Sequence, residues 1–374
     1  MARLFARCLR GIEWVAAAEL EAGFGARVTG RAHRELRLEV AGPPAALLAA
    51  RTVDDLFVHA GTVAGVDHTR ASLARLAAGV DELDLPAAVE LVGGVRPLPR
   101  QPGSEVSASF LGRRNYNRYD VEDAAGASIA RRLGAPYRSR RASAPAGAPL
   151  AWRVHLAGDQ ALVGLRLAER PLHRRGYKLR SRPGTLHPPL AAAMALVAGL
   201  RPEATLLDPF CGVGTVPIEA AGLRPGACRA GSDVSAAAVA AAAANAAGAG
   251  VAAAFVVADA GSLPFAAGQV DRVVTNPPWR RQVGPAGGAD PGGRRAWSEL
   301  ARVMSPAARM VALVEDPEET LAAGAAAGLR LQLLDRVSLF GRHPALVLAW
   351  PGDAPAGLVD PGGLYGPALA AERP

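Results

Sequence analysis

Short apolar runs alternate with longer Ala-rich stretches throughout the second half of the chain. The short runs predict buried strands and the Ala-rich stretches predict helices, so their alternation indicates repeated βα units around a parallel, doubly wound sheet. The last two apolar segments are separated only by a short turn and predict a terminal antiparallel pair. The predicted strands are Thr205–Leu207, Arg229–Ser232, Ala253–Val257, Val270–Thr275, Met310–Val314, Leu329–Ser338 and Ala345–Trp350, and the predicted helices are Val213–Leu223, Ala236–Ala247, Ala296–Met304 and Pro317–Ala327.

The first half mixes strands and helices in an order that fits a small α+β unit of the ferredoxin-like type. We predict strands at Leu4–Leu9, Arg27–Thr29, Glu35–Val40 and Glu105–Phe110, a hairpin of Trp152–Leu156 with Ala161–Leu167, and helices at Ile12–Ala22, Pro44–Ala50, Thr69–Ala78 and from Val121 to a stop at Gly134. The expected organisation is a first region over residues 1–168, a linker over 169–185, a doubly wound domain over 186–351 and a loosely ordered tail over 352–374.

Positive charge is concentrated in the middle of the chain. The 374 residues carry a net charge of +8, and the stretch Arg96–Arg182 holds 18 Arg and Lys against 6 Asp and Glu, which is +12. The rest of the chain is therefore slightly acidic. This asymmetry favours a polyanion as the partner of the basic region.

Cysteine usage and the N-terminus indicate a soluble, intracellular protein. Cys8, Cys211 and Cys228 are widely spaced with no C-x-x-C pair, which argues against a zinc site and a disulfide framework. The first residues lack the apolar core of a signal peptide, and the Ala-rich stretches do not reach the length and hydrophobicity of a membrane span. We expect neither a metal nor a membrane among the partners.

The stretch "LLDPFCGVGTVPIEAA" places a glycine-rich turn between a strand and a helix. The strand ends at Asp208, the turn contains Gly212 and Gly214, and the helix begins near Thr215. Glycines at such a turn let the backbone approach a ligand closely. The third glycine of the dinucleotide fingerprint and the lysine of a triphosphate-binding loop are both missing.

The next three strands also end in polar residues, namely Asp233, Asp259 and Asn276. Ligands of doubly wound sheets bind outside the carboxyl ends of the strands, so all four residues are expected to face one crevice. Asp233 can accept two hydroxyl protons from a ribose, and Asp259 can accept hydrogens from an adenine amino group.

These motifs resemble those of S-adenosylmethionine-dependent, Rossmann-fold methyltransferases of the amino-methylating kind. The likeness covers about Tyr177 to Trp350 and rests on "DPFCGVGT", "GSDVS", "ADA" and "NPPW". The segment His173–Met194 resembles the one that precedes this domain in THUMP-containing RNA methyltransferases, and the N-terminal half is similar to their ferredoxin-like plus THUMP region. The nearest likeness is to bacterial and archaeal tRNA guanine-N2 methyltransferases that modify the acceptor stem.

The resemblance implies the cofactor, the partner and the site residues. It implies S-adenosyl-L-methionine as cofactor, RNA as partner with the tRNA acceptor stem favoured, a cytoplasmic location and a monomer. Trp279 stands where Tyr or Phe is commoner in the family, which leaves the target base less defined. The implied catalytic residues are Asn276, Pro277, Pro278 and Trp279; the cofactor residues are Asp208, Phe210, Gly212, Gly214, Thr215, Asp233, Asp259 and Ala260; the RNA contacts are Arg113, Arg114, Tyr116, Arg118, Arg174, Arg175 and Lys178.

The tetrapeptide Asn276–Trp279 suits methyl transfer to an exocyclic amine. The N2 amine of guanine is a weak nucleophile because its lone pair is delocalised into the ring. The side-chain oxygen of Asn276 and the carbonyl of Pro277 can each accept one amine hydrogen and so direct the lone pair toward the methyl donor. Trp279 offers a flat face for an unstacked base.

Several alternatives stay open at this stage. The same geometry would serve adenine N6 in DNA or RNA, a guanine of ribosomal RNA, or a protein glutamine. A non-catalytic RNA-binding protein with a vestigial methyltransferase domain is a further hypothesis. Cys211 could act as a nucleophile, although its place in the turn favours a packed thiol. His173 and His187 could act as bases, although surface histidines are commoner in an Arg-rich segment.

Overall fold

The computed structural model describes residues 1–100, 102–141, 149–278 and 293–352. The chain divides into two compact units. Unit 1 consists of Met1–Arg7 with Leu20–Leu172, and unit 2 consists of Cys8–Glu19 with His173–Pro374. The predicted tail lies outside the described residues from residue 353 onward. Within the described residues, no helix is both long and apolar enough to cross a membrane.

Unit 1 is built on a mixed sheet of seven strands in the order β2-β3-β1-β4-β7-β6-β5. The described elements along the chain from Ala2 to Arg166 are β1 Ala2–Arg7, α1 Glu13–Phe24, β2 Arg27–Ala32, β3 Glu35–Val40, a 3-10 turn at Pro44–Ala49, β4 Asp55–Val63, α2 Ser72–Asp81, α3 Leu85–Gly93, β5 Ser104–Phe110, α4 Arg118–Leu133, β6 Leu150–Ala157 and β7 Gln160–Arg166. Helix α1 is shared, because its residues up to Glu19 belong to unit 2. Strands β5 and β6 are parallel, and the other neighbours are antiparallel. The predicted hairpin is confirmed as β6–β7.

Three elements were missing from the sequence prediction. They are β4 and α3 in unit 1 and the helix that precedes the second sheet in unit 2, α5 Pro188–Val197. Helix α3 has a sequence signal, because the side chain of Asp84 caps it and Pro86 stands in its first turn. Helix α4 begins earlier than predicted, at Arg118, because Asn117 and Asp120 form a capping box.

Unit 2 contains the predicted doubly wound sheet, with strand order β10-β9-β8-β11-β12-β14-β13. After α5 its elements are β8 Thr205–Asp208, α6 Thr215–Leu223, β9 Cys228–Asp233, α7 Ala236–Gly248, β10 Ala254–Val257, β11 Val270–Thr275, α8 Arg294–Val303, β12 Met304–Val314, α9 Pro317–Ala326, β13 Leu329–Arg336 and β14 Ala345–Pro351. The first five strands of that order are parallel, and β14 pairs antiparallel with both β12 and β13. The Rossmann-type sheet with its antiparallel end is therefore confirmed.

One face of this sheet packs against α5 and the first half of α1. Ile12 and Val15 are fully buried in the same apolar cluster as Leu190 and Met194 of α5 and Leu206 of β8. The segment Cys8–Glu19 was assigned to the first region from its position in the sequence, but its apolar side chains complete the core of unit 2.

Candidate active site

The carboxyl ends of β10, β9, β8 and β11 meet at one edge of the second sheet, because these neighbouring strands run parallel. The residues that end or follow them are, in that order, Asp259, Asp233, Asp208 and Asn276. The structure thus brings together the four polar positions identified in the sequence. We call this edge the strand-end site.

Asp208 is the most enclosed member of the strand-end site. Its side chain is buried, and one carboxylate oxygen accepts a hydrogen bond from the backbone N–H of Phe210 at 3.2 Å. Burial raises the pKa of Asp208 to about 7, against the opposing effect of that hydrogen bond. The carboxyl is therefore partly protonated at neutral pH. A buried carboxyl in its neutral form is better suited to supporting the turn than to forming an ion pair.

The glycine turn leaves open space beside its backbone. Gly212 has φ +53°, and a Cβ placed there would have no neighbour within 4 Å. Gly214 immediately precedes α6, whose first turn has no side-chain cap. The unpaired N–H groups at such a helix start can bind an anionic group such as a carboxylate. Thr215 is buried in this first turn, and Phe210 is half-buried in the turn before it.

Asp233, the last residue of β9, connects the glycine turn to that strand through hydrogen bonds. Its carboxylate accepts hydrogen bonds from the backbone N–H of Gly212 at 3.0 Å and of Ser235 at 2.9 Å. Each oxygen keeps lone-pair capacity for a further donor, as binding of a ribose diol requires. The adjacent Val234 is 54% exposed, which sequence reasoning missed. An exposed apolar side chain beside this acid can pack against the face of a base.

Asp259 lies at the far end of the strand-end site. One oxygen accepts the backbone N–H of Gly261 at 2.8 Å, and the side chain is largely exposed. The guanidinium of Arg295 lies 4.0 Å from its other oxygen. The next residue, Ala260, is buried. The carboxylate is thus open to a ligand donor.

Asn276 presents a buried acceptor that has no partner in the described residues. Its side-chain amide nitrogen donates to the carbonyl of Gly184 at 3.5 Å, whereas Oδ1 is buried and unpaired. Buried polar atoms are normally hydrogen-bonded, so an orphaned acceptor at a strand-end site indicates a place for a ligand donor. Pro277 is half-buried and Pro278 is exposed, while Trp279 lies outside the described residues.

The predicted linker is fixed to unit 2 along the strand-end site. The backbone of Arg180 exchanges two hydrogen bonds with the side-chain amide of Asn245 on α7. The guanidinium of Arg182 donates to Ser235 at 3.1 Å, and Gly184 contacts Asn276 as described. Sequence reasoning missed Asn245, although a single Asn within an Ala-rich helix was a visible signal.

Arg175 anchors the same segment to a buried acid. Its guanidinium lies 3.0 Å from the carboxylate of Glu219, which has no exposed surface, and Tyr177 donates to the same carboxylate at 2.7 Å. Lys178 is half-buried, and burial lowers the pKa of its ammonium group despite the nearby Glu219. Arg175 was expected to contact RNA, but its charge serves this internal pair. Arg174 is exposed.

The basic and aromatic run in unit 1 divides into internal and exposed side chains. Arg114 donates to the carbonyls of Val66, Asp67 and Gly158 at 2.8, 2.8 and 2.5 Å. Tyr116 is buried and donates to the carbonyl of Asp67 at 2.7 Å. These two side chains therefore hold a loop of unit 1 together. By contrast, Arg113 and Arg118 are exposed, and the Arg118 guanidinium stacks 4.7 Å from the ring centroid of Tyr119.

Cys211 is buried in the turn, as expected of a packed thiol. Burial, together with the nearby Asp208 and Asp233, raises the pKa of the thiol well above its usual range. A thiol held in its neutral form is a poor nucleophile. His173 and His187 lie edge to face, with ring centroids 5.4 Å apart. In the part of the chain that the structure describes, no group of three His, Cys, Asp or Glu side chains is arranged to hold a metal.

Comparison with known proteins decides what kind of domain carries this site. Residues 175–344 match the family described as UPF0020, RMKL-like, methyltransferase domain. This part of the chain is similar to RMKL-like methyltransferase domains. The match covers the glycine turn, the strand-end acids and Asn276, so the strand-end site lies within the matched segment.

Relatives with assigned names extend the comparison beyond the methyltransferase domain. A tRNA (guanine(6)-N2)-methyltransferase of Thermus thermophilus is 33% identical over 202 residues, which are 53% of this chain and 58% of that protein. A ribosomal RNA large subunit methyltransferase K/L of Methylococcus capsulatus is 35% identical over 143 residues, which are 34% of this chain and 19% of that protein. The matched regions thus span less than two thirds of each relative.

A solved structure matches over nearly the whole chain. The crystal structure of TrmN from Thermus thermophilus aligns with a TM-score of 0.74 and 27% identity, covering 94% of this chain and 100% of that one. The likeness includes both units, so the α+β region before the methyltransferase domain is part of the shared fold. The comparison does not separately identify a THUMP domain, which stays a prediction.

Proposed function

We propose that this protein transfers a methyl group from S-adenosyl-L-methionine to the exocyclic N2 amine of a guanosine in tRNA. The observation that carries the proposal is the buried, unpaired Oδ1 of Asn276 beside the strand-end acids. An acceptor in that position has no function in the described fold, but it matches the hydrogens of an amine. The Thermus relative named tRNA (guanine(6)-N2)-methyltransferase supports tRNA and guanine as the substrate.

The strand-end site can hold the cofactor with residues already in place. The open backbone at Gly212 accommodates the amino-acid part, whose carboxylate fits the uncapped start of α6. Asp233 accepts the ribose hydroxyls, Val234 packs on the adenine face, and Asp259 accepts hydrogens from its amino group. When bound, the cofactor supplies a methyl group activated by a sulfonium.

Asn276 and Pro277 orient the N2 amine of guanine for methyl transfer. The Asn276 Oδ1 and the Pro277 carbonyl each accept one hydrogen of the N2 amine, which turns its lone pair away from the base and toward the methyl group. These acceptors also stabilise the positive charge that develops on nitrogen as the N–C bond forms and the S–C bond breaks. The Asn276 amide is held by Gly184, which keeps Oδ1 rather than the amide nitrogen facing the substrate. The excess proton leaves to water.

RNA is recognised through exposed cations, of which Arg113, Arg118 and Arg174 remain the best placed of those identified in the sequence. Phosphate contacts from such side chains supply affinity that depends on salt. Among tRNA sites we favour the acceptor stem, and guanosine 6 is the position named for the Thermus relative. A tRNA substrate places the enzyme in the cytoplasm, and we expect a monomer.

The decisive measurement is transfer of a radiolabelled methyl group to unmodified total tRNA, followed by nucleoside analysis. We expect label in N2-methylguanosine. We expect Asn276→Ala to lower the rate by about 100-fold or more, the effect of removing one preorganised polar group from such a site. Calorimetry of S-adenosylmethionine binding is the control, because the variant should bind it as the wild type does.

Each other outcome contradicts a stated part of the proposal. Label that appears only in ribosomal RNA, DNA or protein would overturn the substrate. Near-normal transfer by Asn276→Ala would overturn the mechanism. Failure of the wild type to bind S-adenosylmethionine would favour the non-catalytic alternative.

Ribosomal RNA is the second candidate substrate. The Methylococcus relative, named for ribosomal RNA, matches at slightly higher identity over a shorter stretch. Against it, the Thermus relative named for tRNA matches 53% of this chain, compared with 34% for the Methylococcus relative. Parallel assays with protein-free ribosomal RNA distinguish the two substrates directly.

A further inference from the structure

Three arginines line a cavity in the methyltransferase domain at the edge of the sheet opposite the strand-end site. The cavity has a volume of about 250 Å³ and is lined by Gly199, Arg201, Arg272, Ala307 and Arg309. Gly199 and Arg201 follow α5, Arg272 lies near the start of β11, and Ala307 and Arg309 lie on β12. The cavity is therefore lined by three segments that are separate in sequence and that the strand order and register bring together.

The sheet places two of the cations side by side. Arg272 and Arg309 are register partners on the parallel strands β11 and β12, so their side chains leave the same face of the sheet. Like charges at neighbouring positions of a sheet are destabilising. Gly199 leaves space for Arg309, because a Cβ there would lie 3.1 Å from the Nη1 atom of Arg309.

The described part of the chain offsets this charge only in part, through the nearby Asp271 carboxylate. Arg272 is buried and donates to the carbonyls of Gly199, Asp271 and Ala307 at 3.1, 2.6 and 3.4 Å. The Asp271 carboxylate is engaged by the Thr205 N–H and the Ser305 hydroxyl. Among the described residues, Arg201 and Arg309 form no ion pair with any acid.

Electrostatics at the cavity favour an added negative charge. Burial and the neighbouring Arg201 and Arg309 lower the pKa of Arg272 to about 10, against the opposing effect of Asp271. Burial together with Arg201 lowers the pKa of Arg309. A purely structural role explains Arg272, whose guanidinium holds carbonyls at the end of α5. It does not explain why Arg201 and Arg309 converge on the same cavity.

We infer that this cavity, which we call the arginine pocket, binds a phosphate group through Arg201, Arg309 and the remaining donors of Arg272. Guanidinium forks match the oxygens of a tetrahedral oxyanion. Arg272 is buried and Arg309 half-buried, whereas Arg201 is exposed at the mouth of the cavity. The phosphate belongs either to the backbone of a bound RNA or to a free small molecule. The RNA source rests on the proposed function, whereas phosphate binding itself does not.

Calorimetric titration of the full chain with inorganic phosphate at constant ionic strength tests the arginine pocket. We expect wild type to bind phosphate, and Arg201→Gln and Arg309→Gln each to bind it at least about tenfold more weakly. The matched control is Arg224→Gln, because Arg224 is exposed on the loop between α6 and β9, at the same edge of the sheet but outside the pocket. This variant should bind phosphate as wild type does.

Binding of an unmodified tRNA transcript then identifies the source of the phosphate. If it is an RNA phosphate, both variants weaken tRNA binding and reduce its dependence on salt, and free phosphate competes with tRNA. If it is a free molecule, the variants lose phosphate binding and keep wild-type tRNA affinity. The inference is overturned if phosphate binds wild type no better than chloride does, or binds all four proteins equally. Neither result bears on methyl transfer, so the proposed function would be unaffected.

Discussion

At the scale of single residues, two side chains of the strand-end site are in unfavourable surroundings when no ligand is bound. Asp208 is buried with its carboxyl pushed toward the neutral form, and Asn276 holds a buried acceptor with no donor in the described residues. The buried Asp208 carboxyl lowers the stability of the apo protein at neutral pH. The Asn276 acceptor gains a hydrogen bond only when a ligand donor binds. The unpaired acceptor of Asn276 therefore indicates ligand binding, whereas the buried Asp208 supports the turn beside it.

The raised pKa of Asp208 makes the stability of the folded protein depend on pH. Its pKa is about 7 in the folded protein against 3.8 unfolded, so the folded state binds more protons between these values, and stability falls as pH rises from about 4 to 7. The full loss is on the order of 4 kcal/mol. We expect the Asp208→Asn variant of the apo protein not to lose stability over this pH range. Urea unfolding between pH 5 and 8 measures the free energy of unfolding of both proteins.

The exposed acid of the same site provides the control for this experiment. Asp259→Asn should leave the wild-type pH profile of stability unchanged, because the Asp259 side chain is largely solvated. A wild-type profile that is flat between pH 5 and 7, or one that Asp208→Asn does not alter, would contradict the assignment to Asp208.

At the scale of elements, the segment from Arg175 to Gly184 connects α6, α7 and the strand-end site. Arg175 and Tyr177 bind Glu219 on α6, Arg180 binds Asn245 on α7, and Gly184 holds the Asn276 amide. Its sequence, rich in Arg and Gly, has the composition of a flexible linker, yet each of these contacts fixes its path.

Arg174 and Arg175 are adjacent residues with different expected effects. Arg175→Gln leaves Glu219 buried without its cation, so we expect about 3 kcal/mol loss in the free energy of unfolding. Arg174→Gln should leave stability within about 0.5 kcal/mol of wild type, because this side chain is exposed, and should weaken RNA binding instead. Denaturant unfolding and RNA affinity measured on both variants check this. Equal effects of the two on stability would contradict the internal role of Arg175.

At the scale of the whole molecule, the chain passes between its two units within one helix. The first half of α1 belongs to unit 2 and the second half to unit 1. The core of unit 2 is thus completed by residues from the N-terminus, far from the rest of that unit in sequence. The segment matched by the methyltransferase family, residues 175–344, does not include them.

Ile12 tests this division. Ile12→Ala should lower the stability of unit 2 by about 2–5 kcal/mol, because Ile12 is fully buried beside Leu190 and Met194, and Ile12→Val should cost about 1 kcal/mol. Hydrogen exchange of α5 amides reports on unit 2 directly. Unchanged protection of α5 in Ile12→Ala would show that the N-terminal segment is not part of that core.

The sequence by itself determined the order and the position of the strand-end residues. Repeated βα units form parallel strands, and parallel strands end at one edge, so Asp208, Asp233, Asp259 and Asn276 had to lie near one another once the pattern was recognised. The terminal antiparallel pair and the β6–β7 hairpin followed from local signals in the same way.

Only the tertiary structure decided which charged and polar side chains are available to a ligand. Arg114 and Arg175 look like their neighbours Arg113 and Arg174 in sequence, but carbonyls and a carboxylate from distant segments bind them. The arginine pocket and the unpaired Oδ1 of Asn276 likewise depend on contacts between remote parts of the chain. Burial and pairing are set by these long-range contacts, which no local pattern of residues encodes.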